Sequence, residues 1–170
     1  MNWENTAIYH SWSMPIELRF ESVLAAPPDA VWERAVALSG ANDELWPVAK
    51  MTFPFRLDRH TPAEQLVGHQ FRSWMLGLGF LPISRRTMKI EAFEEGRFRE
   101  CSTSWLQGRV CHERTAVAAD HGSTVLTDTL VSEPRGRLAD ALLRTGTTMT
   151  FRRRHRRLRR YFDKASAEAG

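Results

Sequence analysis

The 170-residue sequence predicts an α+β fold, in which a curved antiparallel sheet of seven strands wraps around one long C-terminal helix. Two short helices are predicted between the first two strands. Two observations support this fold. Segments with alternating apolar and polar residues are joined by three-residue connections that end in glycine, as is typical of β-hairpins. Beyond the last of them, Phe151, His155, Leu158 and Phe162 recur at helical spacing on one stripe, which we expect to cover the apolar face of the sheet.

The composition indicates one folded domain. The chain is 42% hydrophobic and 26% charged, which excludes disordered, collagen-like and coiled-coil classes. Its net charge of +4 is local, because seven arginines lie between Phe151 and Phe162. No apolar run is long enough to span a membrane, no signal-peptide pattern is present, and the only cysteines are Cys101 and Cys111. We therefore expect a soluble, cytoplasmic protein.

The N-terminal region divides into a leader and the start of the domain. Residues 1–14 show neither helical nor strand periodicity and are expected to form an arm or leader. A single domain is expected over residues 15–166. Alternating apolar residues predict its first strand over residues 16–24.

Two short helices are predicted next. Pro28 and Asp29 suit a first helical turn, and Gly40 is well placed to end that helix. Asn42 can cap a second helix, which Pro47 terminates. The other strands are predicted over residues 50–57, 68–76, 83–93, 97–105, 109–119 and 123–132.

The connections between the last four strands predict their register. They are Glu94-Glu95-Gly96, Leu106-Gln107-Gly108 and Asp120-His121-Gly122, each suited to a turn with a left-handed glycine. If the residues that flank each turn pair, Arg114 lies opposite Asp128 on one side and Glu100 on the other. By the same rule His112 lies opposite Ser102 and Leu130.

This register predicts a charged row, Glu100–Arg114–Asp128, on the apolar inner face. Such a row is either the polar end of an apolar pocket or a structural ion-pair row that specifies register. We expect the pocket to be lined by residues of the inner face and of the C-terminal helix: Met88, Ile90, Phe98, Glu100, Ser102, His112, Arg114, Leu126, Asp128, Leu130, Met149 and Phe151.

Other chemistry is less well supported. The histidines and cysteines show no metal-ligand spacing, so neither a metal nor a cofactor is predicted. His155 is expected to be a core histidine with satisfied hydrogen bonds. Cys101 and Cys111 are expected to lie diagonally on the outer face, without a disulfide.

The arginine-rich helix has two interpretations. Its arginines form the solvated back of an amphipathic helix, or they bind nucleic acid or another acidic partner, and we favour the first. Leu138, Leu142 and Met149 are out of phase with the stripe that begins at Phe151. Gly146 lies between the two registers, and a bend or break is predicted there.

Three local patterns, together with the element order, resemble the START-like (SRPBCC) superfamily and its helix-grip fold. They are Ala26-Pro27-Pro28-Asp29-Ala30-Val31-Trp32, Gly122-Ser123-Thr124-Val125-Leu126-Thr127-Asp128 and Phe151-Arg152-Arg153-Arg154-His155-Arg156-Arg157-Leu158. The last looks like a signature of the bacterial branch that contains polyketide cyclase-like proteins. The resemblance implies a cavity for lipids, sterols or polyketides. Ile90 and Arg114 depart from the histidines expected in that branch.

These observations lead to three functional hypotheses. We favour the binding of an apolar small molecule, such as a lipid or polyketide, in storage, transport or sensing. The first alternative is a cyclase or lyase that acts on a polyketide-like substrate in the same cavity, with His112 or Glu100 as general acid or base. The second is a nucleic-acid or acidic-partner module that uses the arginine-rich helix, which we regard as the weakest. A homodimer is left open.

Overall fold

The computed structural model describes residues 14–54, 65, 67–133 and 135–169, so the predicted leader lies almost entirely outside the described residues. The described elements follow the predicted order of strand, two short helices, six strands and long helix. They are β1 (Ile16–Leu24), α1 (Pro28–Val36), α2 (Leu38–Leu45), β2 (Ala49–Met51), β3 (Gln70–Gly77), β4 (Leu81–Glu94), β5 (Arg97–Ser104), β6 (Gly108–Ala118), β7 (Thr124–Ser132) and α3 (Arg137–Ala169).

The seven strands form one antiparallel sheet in the order β1-β7-β6-β5-β4-β3-β2, so the predicted fold class is confirmed. In the predicted hairpins, Gly96, Gly108 and Gly122 all have positive φ, as the turn pattern requires. The long chain segment that holds α1 and α2 connects β1 at one edge to β2 at the other. None of the described helices is long and apolar enough to cross a membrane.

The predicted register is confirmed between β6 and β7 and wrong between β5 and β6. Arg114 pairs with Asp128, and His112 with Leu130, as expected. On the other side Arg114 pairs with Phe98, and His112 pairs with Glu100. The reason is that Gly108 already belongs to β6 and pairs with Ser104, so residues 105–107 form the turn. Because the shift is two residues, every side chain stays on its predicted face.

The α1–α2 region differs from the sequence prediction. Gly40 lies inside α2 and does not end α1. Asn42 also lies inside α2 and caps nothing, because its side-chain amide pairs with the backbone of Met51. Asn42 Nδ2 donates to the Met51 carbonyl at 3.0 Å, and the Met51 amide donates to Asn42 Oδ1 at 2.7 Å. This pair holds α2 against β2, which is shorter than predicted.

Helix α3 is continuous over 33 residues, so the predicted break at Gly146 is wrong. The Thr150 hydroxyl donates to the Gly146 carbonyl at 2.8 Å, within the helix. The second half of α3 supplies the buried face: Leu158 and Phe162 pack with Leu126, and Phe151 packs with Leu130 in two apolar clusters. The helix therefore covers the sheet, as predicted from its apolar stripe.

Candidate functional site

A buried arginine is the centre of the polar part of the inner face. Arg114 on β6 is fully buried, and all five of its N–H donors have acceptors. Its Nε and Nη2 donate to the carboxylate of Asp128 at 2.7 and 2.9 Å. Its Nη1 and Nη2 donate to Glu44 at 3.2 and 3.0 Å, and Nη1 also reaches the Ala35 carbonyl at 3.4 Å. Arg114 thus joins the sheet to both short helices.

Asp128 on β7 is the most heavily used acceptor in this cluster. Besides Arg114, it accepts hydrogen bonds from the Nε2 atoms of His112 and His155, at 2.7 and 2.9 Å. Burial alone would raise the pKa of Asp128, but the charges of Arg114 and His112 and the hydrogen bonds of both histidines hold this pKa well below its ordinary value. Its carboxylate is therefore charged and has no acceptor position left for a ligand.

Glu44 and Arg154 complete the cluster from the helices. Arg154 on α3 is a second cation beside Glu44 and donates to it through Nε at 2.8 Å. Burial would raise the pKa of Glu44, but Arg114 and Arg154 outweigh it and lower this pKa. His155, predicted to be a satisfied core histidine, contacts the Ser22 hydroxyl through Nδ1 at 2.9 Å and Asp128 through Nε2. That prediction is confirmed.

His112 and Glu100 lie where the cluster meets open space. His112 Nδ1 is 3.2 Å from Glu100 Oε1, so both ring nitrogens face carboxylate oxygens, which suits a doubly protonated ring. Burial opposes this charge, but Asp128 and Glu100 outweigh it and raise the pKa of His112. Burial likewise would raise the pKa of Glu100, but the hydrogen bond and charge of His112, with Arg86 and Arg154, lower it. We infer an ion pair.

Charges balance among the residues that ion pairs join in this group, while Arg86 is a further cation whose charge acts on Glu100. Arg114, Arg154 and protonated His112 are three cations, and Glu44, Asp128 and Glu100 are three anions. A buried set of charges is tolerated when every member is paired and hydrogen-bonded. Glu100 can still accept a hydrogen bond, because no described residue donates to its Oε2.

A small cavity of about 70 Å³ borders this polar corner. Glu100, His112 and Arg154 contribute its polar wall, and the side chain of Glu100 is 27% exposed. Phe98 packs edge-on against His112, with ring centroids 5.5 Å apart. The rest of the lining is apolar and comes from the short helices and from the far strands: Ala35, Val36, Ala37, Ala41, Leu45, Met51, Phe53, Phe71, Met88, Ile90 and Phe98.

Five of the twelve predicted pocket residues line this cavity, namely Met88, Ile90, Phe98, Glu100 and His112. Arg114 and Asp128 lie behind them, with no exposed surface. Ser102, Leu126, Leu130 and Phe151 are buried elsewhere on the inner face, in contact with protein groups. Met149 is 64% exposed and borders a different, open groove, so it does not line this cavity. The predicted row is also corrected, because Glu44 replaces Glu100 as the second partner of Arg114.

Three of the seven arginines in the arginine-rich stretch are engaged within the protein. Arg154 pairs with Glu44, while Arg153 and Arg157 donate to the carbonyl of Trp46 at 3.5 and 2.9 Å. These contacts attach α3 to the chain that follows α2. Arg152 and Arg156 are exposed, as the amphipathic interpretation of the helix predicts.

The two cysteines contradict the sequence prediction. Cys101 and Cys111 are directly paired across β5 and β6, and they form a disulfide on the outer face. The error follows from the same two-residue shift of register. The two cysteines therefore give no support to a reducing, cytoplasmic environment. Glu91 lies close to both sulfurs, but it pairs with Arg99 and Arg109, and a disulfide offers no thiolate to a metal.

Sequence reasoning missed Glu44 and Arg154. The one available signal was that Arg114 has five donors, more than Asp128 alone can satisfy, so a further acceptor was required. Nothing in the pattern of α2 distinguishes Glu44 from the neighbouring Asp43. Arg154 was counted among the solvated arginines, although it lies on the flank of the buried stripe.

Solved structures share this architecture at low sequence identity. The Zhui aromatase/cyclase from Streptomyces sp. R1128 aligns with a TM-score of 0.69 at 15% identity, over 92% of this chain and 99% of that chain. Protein CV1439 from Chromobacterium violaceum aligns with a TM-score of 0.66 at 15% identity, over 87% and 98%. A START superfamily protein from Mycobacterium smegmatis aligns with a TM-score of 0.60 at 13% identity, over 85% and 98%.

These similarities identify the fold, and a family model identifies the family. Comparison with curated proteins gave no significant match. The model of the family described as "Domain of unknown function (DUF8410)" matches residues 22–162, from β1 to the buried Phe162 of α3. The matched segment contains the charged cluster and the cavity. The chain therefore belongs to this family and has the helix-grip fold of the START-like (SRPBCC) superfamily.

Proposed function

We propose that the protein binds a compact, mainly apolar molecule that carries a hydrogen-bond donor. The observation that carries this proposal is the cavity beside Glu100, which has an apolar lining and one charged carboxylate oxygen that receives no hydrogen bond from the described residues. In such a site apolar contacts supply affinity, and the carboxylate orients the ligand. Asp128, although charged, is saturated by protein donors and cannot serve this purpose.

The volume of the cavity limits the ligand. About 70 Å³ is well below the ~300–1,000 Å³ of ordinary small-molecule sites. It is about half of the ~150 Å³ of a cavity known to hold benzene. Even a single aromatic ring therefore requires the wall to move outwards. Met51, Phe53 and Phe71 are large, half-buried side chains of this wall that can move outwards, which favours a monocyclic ligand over a long-chain lipid.

Thermal shift measurements with phenol and benzene test this proposal. Both compounds should raise the melting temperature, because binding to the native state stabilises it. Glu100→Gln should reduce the shift with phenol more than the shift with benzene, since a hydrogen bond to a charged acceptor is about twice as strong as a neutral one. Ala41→Leu, which places a larger side chain in the cavity, should remove both shifts.

The matched control is Glu113→Gln, which alters a carboxylate on the outer face of β6. It should leave both shifts unchanged. Equal phenol shifts in the wild type and in Ala41→Leu would place the binding site elsewhere and contradict the proposal.

A second candidate function is general-base catalysis in the same cavity. It is favoured by the chain of contacts from Asp128 through His112 to Glu100, which holds a charged carboxylate against an apolar space. Such a group can remove a proton from a carbon acid. The likeness in fold to an aromatase/cyclase is compatible with this candidate but assigns no chemistry.

Deuterium exchange distinguishes catalysis from binding. Acetylacetone in D₂O exchanges its central protons, and the exchange is followed by proton NMR. A catalytic Glu100 predicts acceleration by the wild type that is lost in Glu100→Gln and kept in Glu113→Gln. Binding without catalysis predicts the same rate with and without protein.

A further inference from the structure

One end of the sheet presents large apolar side chains to solvent. The antiparallel order places the β3–β4 turn and the β5–β6 turn at the same end. The first turn exposes Leu78 and Phe80, and the second exposes Trp105 and Leu106. Phe80 is 74% exposed and Trp105 is 71% exposed. Hairpin turns do not require such residues, so their presence here needs another explanation.

The beginning of α3 continues this surface. β7 ends at the same end of the sheet, and the Arg135 guanidinium, two residues before α3, donates to the Trp105 carbonyl at 2.6 Å. No residue from Arg137 to Thr150 is buried. Leu138 is 76% exposed, and Leu142 follows it one helical turn later. We define the apolar rim by the residues Leu78, Phe80, Trp105, Leu106, Leu138 and Leu142.

The backbone of the β3–β4 turn is also unusual. Leu78 has φ 51°, in the left-handed region that leucine rarely adopts, and its amide donates to the Val48 carbonyl at 2.9 Å. The next residue, Gly79, lies against the ring of Trp46, which is also exposed. A polar residue or glycine at position 78 would cost less strain, so the chain retains an exposed leucine at some cost to folding.

Exposed arginines adjoin the apolar rim. Arg137 and Arg144 lie on the part of α3 that has no buried residue. Further along, an open groove of about 610 Å³ is bordered by Val48 and Met149 and by arginines that include Arg152 and Arg156. Apolar side chains on projecting turns, combined with nearby cations, complement a surface that is anionic outside and apolar beneath.

We propose that the apolar rim docks the protein on an anionic lipid surface. Phe80, Trp105 and Leu138 insert among the lipid headgroups, and the exposed arginines of α3 contact the phosphates. A folded protein partner would be better matched by a concave or flat apolar site than by turn tips and an exposed helix. Nucleic acid offers nothing to the leucines. The proposal stands independently of what the cavity binds.

Vesicle co-sedimentation tests the proposal on the full chain. We expect binding to vesicles of equimolar phosphatidylglycerol and phosphatidylcholine, and weak binding to vesicles of phosphatidylcholine alone. The double variant Phe80→Ser/Trp105→Ser should lose at least about tenfold in affinity for the anionic vesicles. The double variant Arg137→Ser/Arg144→Ser, which removes the exposed arginines that adjoin the rim, should lose about fivefold for each arginine, and this loss should shrink as salt is added.

The matched control removes similarly exposed apolar side chains near the opposite end of the sheet, in Val23→Ser/Val117→Ser. It should bind the anionic vesicles like the wild type. Unchanged melting temperatures in the rim variants would show that they are folded, which is expected because the altered side chains are exposed.

Results of three kinds would overturn the proposal. The first is that the wild type does not bind anionic vesicles, or that the control variant loses as much affinity as the rim variant. The second is that the wild type is a dimer and that Phe80→Ser/Trp105→Ser is a monomer with unchanged vesicle binding. This result would assign the rim to contact with a second copy of the chain. The third is that the protein binds polyglutamate as tightly as it binds vesicles, and that this binding is lost in the arginine variant but kept in the rim variant. This result would indicate an acidic protein partner.

Discussion

The inner face of the sheet contains two neighbouring regions that differ in whether the protein satisfies the hydrogen-bonding groups of their polar side chains. Around Arg114 every donor and acceptor is satisfied by the protein, and no space remains. Around Glu100 an acceptor oxygen faces an open cavity. Both regions contain a buried carboxylate on a β-strand, so residue type does not separate them. What separates a structural charge from a candidate binding group is whether its hydrogen-bonding capacity is exhausted within the fold.

The largest effect should follow from removing the cation at the centre of the saturated region. Arg114→Met leaves Asp128 and Glu44 without their main partner, and we expect a loss of about 3–5 kcal/mol in the free energy of unfolding, measured with urea. The control is Arg97→Met, which breaks the exposed pair with Glu113 and should cost less than about 1 kcal/mol. Similar losses in the two variants would contradict a structural role for the buried cluster.

A pair of isosteric variants should separate the two carboxylates. Asp128→Asn replaces an oxygen acceptor of Arg114 and of two histidines, so unfolding should become easier by at least about 3 kcal/mol. Glu100→Gln alters one hydrogen bond beside the cavity and should cost about 1 kcal/mol. Unfolding in urea measures both. If Glu100→Gln proved the more harmful change, Glu100 would have to be assigned to the structural cluster.

The pH dependence of stability should show the His112 ion pair. Because folding raises the pKa of His112, its contribution to stability is complete below its ordinary value of 6.5 and is lost as pH rises through the folded value. The lowered pKa of Glu100 acts in the opposite direction, so its contribution is present above its ordinary value of 4.5 and is lost in acid. The contribution of the pair is therefore largest between these two values.

The variant His112→Gln isolates the alkaline part of this dependence. The difference in unfolding free energy between wild type and variant should shrink as pH rises above 6.5. Denaturant unfolding at a series of pH values measures this difference. A difference that stays constant with pH would mean that folding does not shift the pKa of His112, and would contradict the ion pair.

The smallest effect is expected from filling the cavity. Ala41→Leu adds a side chain where space exists, and the free energy of unfolding should change by less than about 1.5 kcal/mol. The same substitution at Ala116, which is buried in the cluster that contains Leu24 and Leu126, should cost about 1–3 kcal/mol through overpacking. Equal costs at the two positions would indicate that the cavity is filled in solution.

The sequence predicted interactions between residues close in the chain better than interactions between distant ones. The pairing of Arg114 with Asp128 depended on one local turn, Asp120-His121-Gly122, and was confirmed. The pairing with Glu100 failed because the glycine of the next hairpin belongs to the strand. One such error also hid the disulfide, since two residues of shift separate a diagonal pair from a direct pair.

Features that depend on distant segments could not be predicted. Glu44 reaches Arg114 across 70 positions of sequence, and its place depends on how α1 and α2 cross the open side of the sheet. The cavity volume likewise depends on side chains from all three helices and from five strands. Periodicity identifies which residues face inwards, but it does not say which of them leave a gap.

The disulfide on the outer face of the sheet lies directly behind the candidate site on the inner face. Cys101 follows Glu100 and Cys111 precedes His112, so the covalent bond lies immediately behind the ion pair at the cavity wall. Protein prepared under oxidising and under reducing conditions is therefore two chemical species, which differ at the back of this wall. In the oxidised species β5 and β6 are covalently joined behind the cavity wall, and in the reduced species they are not. Ligand screens should therefore be done on samples whose redox state is known.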